Sequence, residues 1–345
     1  MTHHAVVKWG VLSTSTVAVG KAIPALKRCA NAEVVAIASR DIVKAERIAR
    51  SFDIRNAYGS YDALLQDQEV EAVYLPLPNG LHGEWTVRAA HAGKHILCEK
   101  PAALSPQASE VMIAACVSSN VLFMEGFMYR FHPQFKCVKR WLAEERIGPL
   151  RLMRASFSFN LEPRHSRIRL QAALGGGALA DVGAYGIDVT RWLIGEEPSR
   201  VFASGNHGLE ADVETSFTAI LEYHSGICAM LDGGFDRPRH NFCEIVGESG
   251  AILITSPFIP VEGTAVQLRT ATGEEKQTFP LIDPFQLQFE HFSACILGGG
   301  TPAVSAADTV GNARILAALR ASVHSRNPVD ISASDQRTDK QNEQE

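Results

Sequence analysis

His95-Ile96-Leu97-Cys98-Glu99-Lys100-Pro101 is the stretch on which the fold turns. A short apolar run stops at a carboxylate, an ammonium and a proline. In a parallel sheet this marks the carboxyl edge of a strand, where the chain opens onto a ligand crevice. A lysine set there can reach a hydroxyl or carbonyl held in the crevice. A second stretch points the same way: Gly175-Gly176-Gly177-Ala178-Leu179-Ala180-Asp181-Val182-Gly183-Ala184-Tyr185 is a glycine-rich loop leading into a helix.

Around Lys100 the chain alternates strand-like and helix-like pieces. Val6 to Leu12, Val34 to Ala38, Ala72 to Leu77, His95 to Cys98 and Val121 to Met124 read as strands. Val17 to Cys29, Ile42 to Phe52, Leu81 to Ala92 and Pro106 to Val117 read as helices. In the second of these helices Ala45, Ile48, Ala49 and Phe52 share one side. This rhythm predicts a parallel sheet covered on both faces. After about residue 125 the pattern changes. Helices are expected at Pro133 to Glu145 and Leu179 to Leu193, and a strand at Leu150 to Phe159. A run of strands follows at 200–204, 215–223, 227–233, 242–247, 251–256 and 266–270, with hairpin turns at Gly226 and Gly250. Helices at 285–297 and 307–325 close the pattern. The expected fold is an α/β Rossmann domain with a mainly parallel sheet over residues 1–125. An α+β domain with a large open, mainly antiparallel sheet follows over 126–332, then a disordered tail over 333–345. One face of that open sheet has no helix to cover it, which predicts self-association through that face.

Composition narrows the class. The chain has 345 residues, is 46% hydrophobic and 21% charged, and carries a net charge of −5. Without a long basic run, nucleic acid and membrane surfaces are not expected partners. The seven scattered cysteines form no CxxC pair, so neither a disulfide framework nor a zinc site is expected, and no His/Cys/Asp cluster has metal-ligand spacing. No secretory signal and no run long enough for a membrane span is seen, and a cytoplasmic location is expected.

Dinucleotide recognition needs a strand, a tight small-residue turn and a helix N-terminus aimed at the pyrophosphate. Here the turn runs Gly10-Val11-Leu12-Ser13-Thr14-Ser15-Thr16-Val17-Ala18. Ser13 stands where a second glycine is usual. Ser13, Thr14 and Ser15 can offer hydroxyls to phosphate, or simply cap the helix. The second strand ends in Ser39-Arg40 instead of the acidic residue that holds ribose hydroxyls in NAD proteins. Arginine there welcomes a 2′-phosphate, so NADP is the expected cofactor, with NAD as the alternative. Asp41 can serve as the next helix cap. Leu77-Pro78-Asn79-Gly80-Leu81-His82 faces the same edge. Asn79 can bond ribose or nicotinamide groups, and His82 can be a satisfied histidine opening a helix.

Asp181 and Tyr185, four residues apart on one helix, share a face. A lysine, an aspartate and a phenol suit alcohol–carbonyl interconversion. Lys100 polarises the oxygen, Tyr185 moves the proton, and Asp181 orients a sugar hydroxyl or holds Lys100. The bland alternative makes Asp181 and Tyr185 structural.

Taken together, Gly10 to Ala18, Ala38-Ser39-Arg40-Asp41, Pro78-Asn79 with His82, Glu99-Lys100-Pro101 and Gly175 to Tyr185 resemble the Gfo/Idh/MocA oxidoreductase family over nearly the full length. Most of that family ends the last motif in histidine. The tyrosine at 185, like the segment Met124-Glu125-Gly126-Phe127-Met128-Tyr129-Arg130-Phe131-His132-Pro133, is similar to its NADP-dependent dimeric dihydrodiol dehydrogenase and D-xylose 1-dehydrogenase subgroup. The resemblance implies a catalytic Lys100 with Asp181 and Tyr185 as partners, a sugar or cyclic trans-diol substrate, and a homodimer or homotetramer formed through the C-terminal sheet. It also implies that cofactor is bound by Gly10, Ser13, Thr14, Ser15, Ser39, Arg40, Leu77, Asn79, His82, Glu99, Lys100 and Arg169. A non-catalytic NADP-binding regulator and a glycosidase using a tightly held nicotinamide remain open on the sequence. Arg130, His132, Arg164, His165 and Arg167 are candidates for a pocket lining or for plain surface.

Overall fold

Six short strands, five of them largely buried, build the first sheet of the computed structural model, which describes residues 5–162, 168–208 and 211–331. They are β1 (Val7–Leu12), β2 (Ala32–Ala38), β3 (Asn56–Tyr58), β4 (Ala72–Leu75), β5 (His95–Glu99) and β6 (Phe123–Gly126). All pair in parallel, in the order β3-β2-β1-β4-β5-β6. Their continuous Val/Ile/Ala/Leu content is what burial on both faces requires. The order reverses between β1 and β4, and in such sheets that switch point is where nucleotides bind.

The helices between the strands are fixed by local chemistry. Asp41 opens Ile42–Phe52 by accepting from Lys44 N at 3.2 Å. Ser105 opens Pro106–Ser118 by accepting from Ala108 N, with Pro106 in the first turn, where its missing N–H costs nothing. After β1 the chain turns helical at Thr16. Ser15 Oγ accepts from Ala18 N, and the helix passes through a π-wound turn, Ala18–Ala22, into Ile23–Leu26. It stops short of the expected Cys29.

The chain forms two compact units, Met1–Phe131 with Asp283–Thr309, and His132–Ile282 with the chain from Val310 onward. The boundary differs from the contiguous one expected at residue 125. The helix Pro284–Gly298 belongs with the first sheet for an apolar reason. Phe289 lies edge-on to Trp9 at 5.1 Å and to Tyr74 at 5.3 Å, Phe292 lies 5.9 Å from Trp9, and Trp9 Nε1 donates to Ser293 Oγ at 3.1 Å. The expected tail at 333–345 lies outside the described residues.

The second unit holds a nine-stranded sheet: β7 (Leu150–Ser158), β8 (Pro198–His207), β9 (Glu214–Tyr223), β10 (Cys228–Gly234), β11 (His240–Gly247), β12 (Gly250–Ile254), β13 (Ala265–Thr270), β14 (Gly273–Thr278) and β15 (Val329–Asp330). Its order is β14-β13-β12-β11-β7-β10-β9-β8-β15. The β7–β10 pair is parallel and the other pairs are antiparallel. Along β9, Phe217, Ala219, Leu221 and Tyr223 are buried while Thr218, Ile220 and Glu222 are exposed, the alternation of a sheet with one covered face.

Candidate active site

In the first unit the anticipated cofactor residues gather at the carboxyl edge of the parallel sheet. The β1 turn is folded on its own hydroxyls: Ser15 N donates to Ser13 Oγ at 3.0 Å, and Ser15 caps the following helix. Thr14 is buried beside it. Gly10 sits where a Cβ would press on Leu64 and Val70. At the end of β2, Ser39 is buried, with its hydroxyl accepting from Asp41 N, and Arg40 is exposed. The Arg40 guanidinium and the Ser13 hydroxyl both act on the Tyr61 phenol, opposing the burial that pushes its pKa up. A basic group therefore stands beside the phosphate turn, and the only acidic neighbour in sequence, Asp41, is committed to its helix cap. These residues fit a dinucleotide with a phosphorylated ribose.

Lys100 directly follows β5, with 9% exposure. Its loop is held from both sides. The His82 ring, fully buried, sits 2.9 Å from the Pro101 carbonyl through Nδ1 and 2.9 Å from the Leu77 carbonyl through Nε2, so it ties the β4 and β5 turns together. Burial drives the His82 pKa down, and the Lys100 charge adds to that. On β6, the buried Glu125 accepts from Ala102 N at 2.8 Å. Glu99 accepts from the Tyr74 hydroxyl at 2.6 Å. The nearby Asn79 opens a single 3₁₀ turn, Asn79–Leu81, and Leu77 is buried. His82 thus opens a helix, as weighed from sequence, and acts on the Lys100 loop through Pro101.

In the second unit, Gly175 and Gly177 take positive φ values of 75° and 111°. Gly177 N donates to the Arg169 carbonyl at 2.9 Å and Gly176 N to the Gln171 carbonyl at 2.9 Å, leaving no room for side chains at 176. The first turn after the loop, Leu179–Gly183, is π-wound and carries Asp181. The helix Ala184–Ile194 then carries Tyr185. Arg169 Nε donates to Asp181 Oδ2 at 2.6 Å, and the Asp181 carboxylate is the main cause of the raised Arg169 pKa. Arg169, expected at the cofactor, makes its ion pair with Asp181 within this unit, its guanidinium lying 5.9 Å from the Phe159 ring centre. The Tyr185 ring is 7% exposed and rests on Phe157 at 5.4 Å and Phe258 at 5.2 Å.

Two candidate lining residues turn inward. Arg130 pairs with Asp308, and His132 caps the helix Pro133–Ala143 by accepting from Gln134 N. Arg164, His165 and Arg167 lie outside the described residues. Sequence reasoning missed Glu125 and Tyr74, which hold the Lys100 turn. Glu125 had been quoted only within a motif, although a lone carboxylate inside an apolar run (Phe123-Met124-Glu125) is itself a signal of a buried partner. Among the described residues, no group of three or more His, Cys, Asp and Glu side chains could hold a metal ion.

A 3-2-1-4-5-6 parallel sheet with a hydroxyl-rich turn at its switch point, joined to an open-sheet unit, defines a dinucleotide-binding oxidoreductase. Residues 8–127 match the model of the oxidoreductase family with an NAD-binding Rossmann fold, and residues 135–253 match the GFO/IDH/MocA C-terminal domain. The chain belongs to the Gfo/Idh/MocA family. It is 34% identical over 325 residues to the D-xylose 1-dehydrogenase (NADP(+)) 2 of Haloferax volcanii, covering 94% of this chain and 99% of that one. It is 31% identical to the trans-1,2-dihydrobenzene-1,2-diol dehydrogenase of Xenopus laevis, over 88% and 93% of the two chains. Among solved structures it superposes, with a TM-score of 0.87 and 34% identity over 92% and 98%, on a 3-ketoreductase from Actinomadura kijaniata in complex with NADP and TDP-benzene. That enzyme has also been solved with a lysine or a tyrosine replaced.

Proposed function

We propose that this chain is an NADP-dependent dehydrogenase or reductase that moves a hydride between C4 of the nicotinamide and the C–OH/C=O carbon of a sugar or a cyclic trans-diol. The observation that carries this is the buried ammonium of Lys100 at the carboxyl edge of β5 in a dinucleotide-binding sheet. The cofactor, when bound, supplies the hydride acceptor or donor. The protein's own share is recognition and proton handling. Ser39 and Arg40 take the 2′-phosphate, the Ser13–Ser15 turn takes the pyrophosphate, and Asn79 takes ribose or nicotinamide groups. Lys100 polarises the substrate oxygen. In oxidation, Tyr185 Oη accepts the hydroxyl proton as the carbonyl forms, and in reduction it returns the proton. Asp181, its carboxylate held by Arg169, orients a neighbouring hydroxyl.

The named activities of the relatives support the substrate class and the cofactor. A second copy of the chain is the proposed partner, docking on the outer face of the nine-stranded sheet. There Phe202, Ile220 and Met230 stand in one row across β8, β9 and β10, each 38–45% exposed. A cytoplasmic location fits seven cysteines that are all free thiols, and no helix among the described residues is long and apolar enough to cross a membrane. The test is nicotinamide absorbance with D-xylose, D-glucose, inositol, trans-diols and keto-sugars, each with both cofactors. Turnover of at least one, with kcat/KM higher for NADP than for NAD, is expected. No turnover with any would reject the assignment, and a preference for NAD would reject the role of Arg40.

A further inference from the structure

Behind the glycine loop lies a pair of opposite charges that the chemistry above does not use. Glu214 begins β9 and is 7% exposed. It faces inward because the β8–β9 register slips there: Asn206 pairs with Ser216 but His207 pairs with Glu214, so Thr215 is an extra residue. A one-residue bulge reorients the side chains beyond it. Glu214 Oε1 accepts from Leu179 N at 2.9 Å. The same oxygen occupies the space that a Cβ at Gly177 would need. From the helix Ala306–Ser325, Arg320 Nη2 donates to the Gly176 carbonyl at 2.9 Å. Burial pulls the Arg320 pKa down, and the Glu214 charge works against that. Both line a polar pocket of ≈ 420 Å³ together with Gly176, Asp212, His324 and Arg326.

We infer that Glu214, with Arg320 as its counter-charge, is a positioning residue for the Asp181–Tyr185 segment. The anion grips the amide of Leu179, the cation grips the carbonyl of Gly176, and Gly177 is pinched between them. The next turn carries Asp181, and one turn further comes Tyr185. A loop fixed at both ends by charge-assisted hydrogen bonds sets where that carboxylate and phenol start. This role rests on the oxidoreductase function proposed above.

The experiment compares Glu214→Ala with Glu214→Gln, which keeps an oxygen for the Leu179 amide. Glu214→Ala is expected to lower kcat on the order of 10- to 100-fold, the cost of misplacing groups by about an ångström. Its Kd for NADPH should stay at the wild-type value, and amide hydrogen exchange across 176–183 should speed up. Glu214→Gln is expected to recover most of kcat and of the exchange protection. Wild-type kcat or unchanged exchange in Glu214→Ala would overturn the inference, as would an equal loss in Glu214→Gln. Should Glu214→Ala fail to fold, Arg320→Gln carries the same exchange measurement, with faster exchange expected at 176–179 and unchanged exchange overturning the clamp. Hydrogen exchange needs no substrate, so it decides the clamp even if the wild-type protein turns over none of the sugars or diols, the result that removes the proposed function instead.

Discussion

Tyr185 rests on two phenylalanine rings, Phe157 and Phe258, which hold it in one orientation, so removing its hydroxyl alone leaves the packing in place. Tyr185→Phe is expected to reduce kcat by roughly 10²–10⁴ while the cofactor Kd is kept. Full activity would move the proton transfer to Lys100 or to water. A second residue-scale effect concerns acid stability. His132 is fully buried, and its Nε2 has no hydrogen-bond partner among the described residues. Burial holds its pKa down at about 4, against 6.5 for a free histidine. His82, His95 and His291 are shifted in the same direction, each chiefly by burial. A lowered folded-state pKa means that the unfolded chain takes up the proton first. For His132 the stability is therefore fully present above pH 6.5 and is lost as pH falls toward 4, by about 1.4 kcal/mol per pH unit. His132→Asn keeps an acceptor for Gln134 N and removes one titrating group. Denaturant midpoints measured from pH 7 to 4 should fall less steeply in that variant, and an identical slope would contradict the assignment.

At the scale of elements, the helix Pro284–Gly298 completes the nucleotide-binding unit from the far end of the chain. Phe289 is wholly buried between Trp9 and Tyr74. Phe289→Ala should cost about 3–5 kcal/mol in chemical unfolding. A loss under about 1 kcal/mol would show that the helix is dispensable to that sheet. Its own sequence, capped at Asp283 and ended by Gly299, announces a helix but not which sheet it covers, because association across such a sequence separation leaves no local mark. The buried parallel strands were legible for the opposite reason, since each is a mostly apolar run between turn residues. The strands that escaped notice are edges. β14 reads Gly-Glu-Glu-Lys-Gln-Thr, with no apolar face to betray a period of two, and charge is what protects an edge from pairing further. β3 has three residues, too few for any periodicity. Among the candidate catalytic residues, Lys100, Asp181 and Tyr185 could be picked out as chemistry-bearing types in motifs. Glu214 and Arg320 could not, because they act on backbone groups distant in sequence.

Across the whole molecule, the outer face of the large sheet is where assembly is expected. Ile220 stands opposite Phe202 on one side and Met230 on the other, in the middle of the apolar row. Ile220→Lys places a charge there and should lower the mass in solution, measured by light scattering, toward that of one chain. An unchanged oligomer would place the contact elsewhere, and a monomeric wild-type protein would remove it. The proposed function depends on one ammonium just past β5, on a turn held by His82 and Glu125 through the residues that follow it. The most direct measurement is kcat for Lys100→Met beside wild type, on a substrate identified with NADP, together with the NADPH Kd of each. The expected result is an unchanged Kd with most of the turnover gone. A near wild-type kcat in the methionine variant would contradict the account.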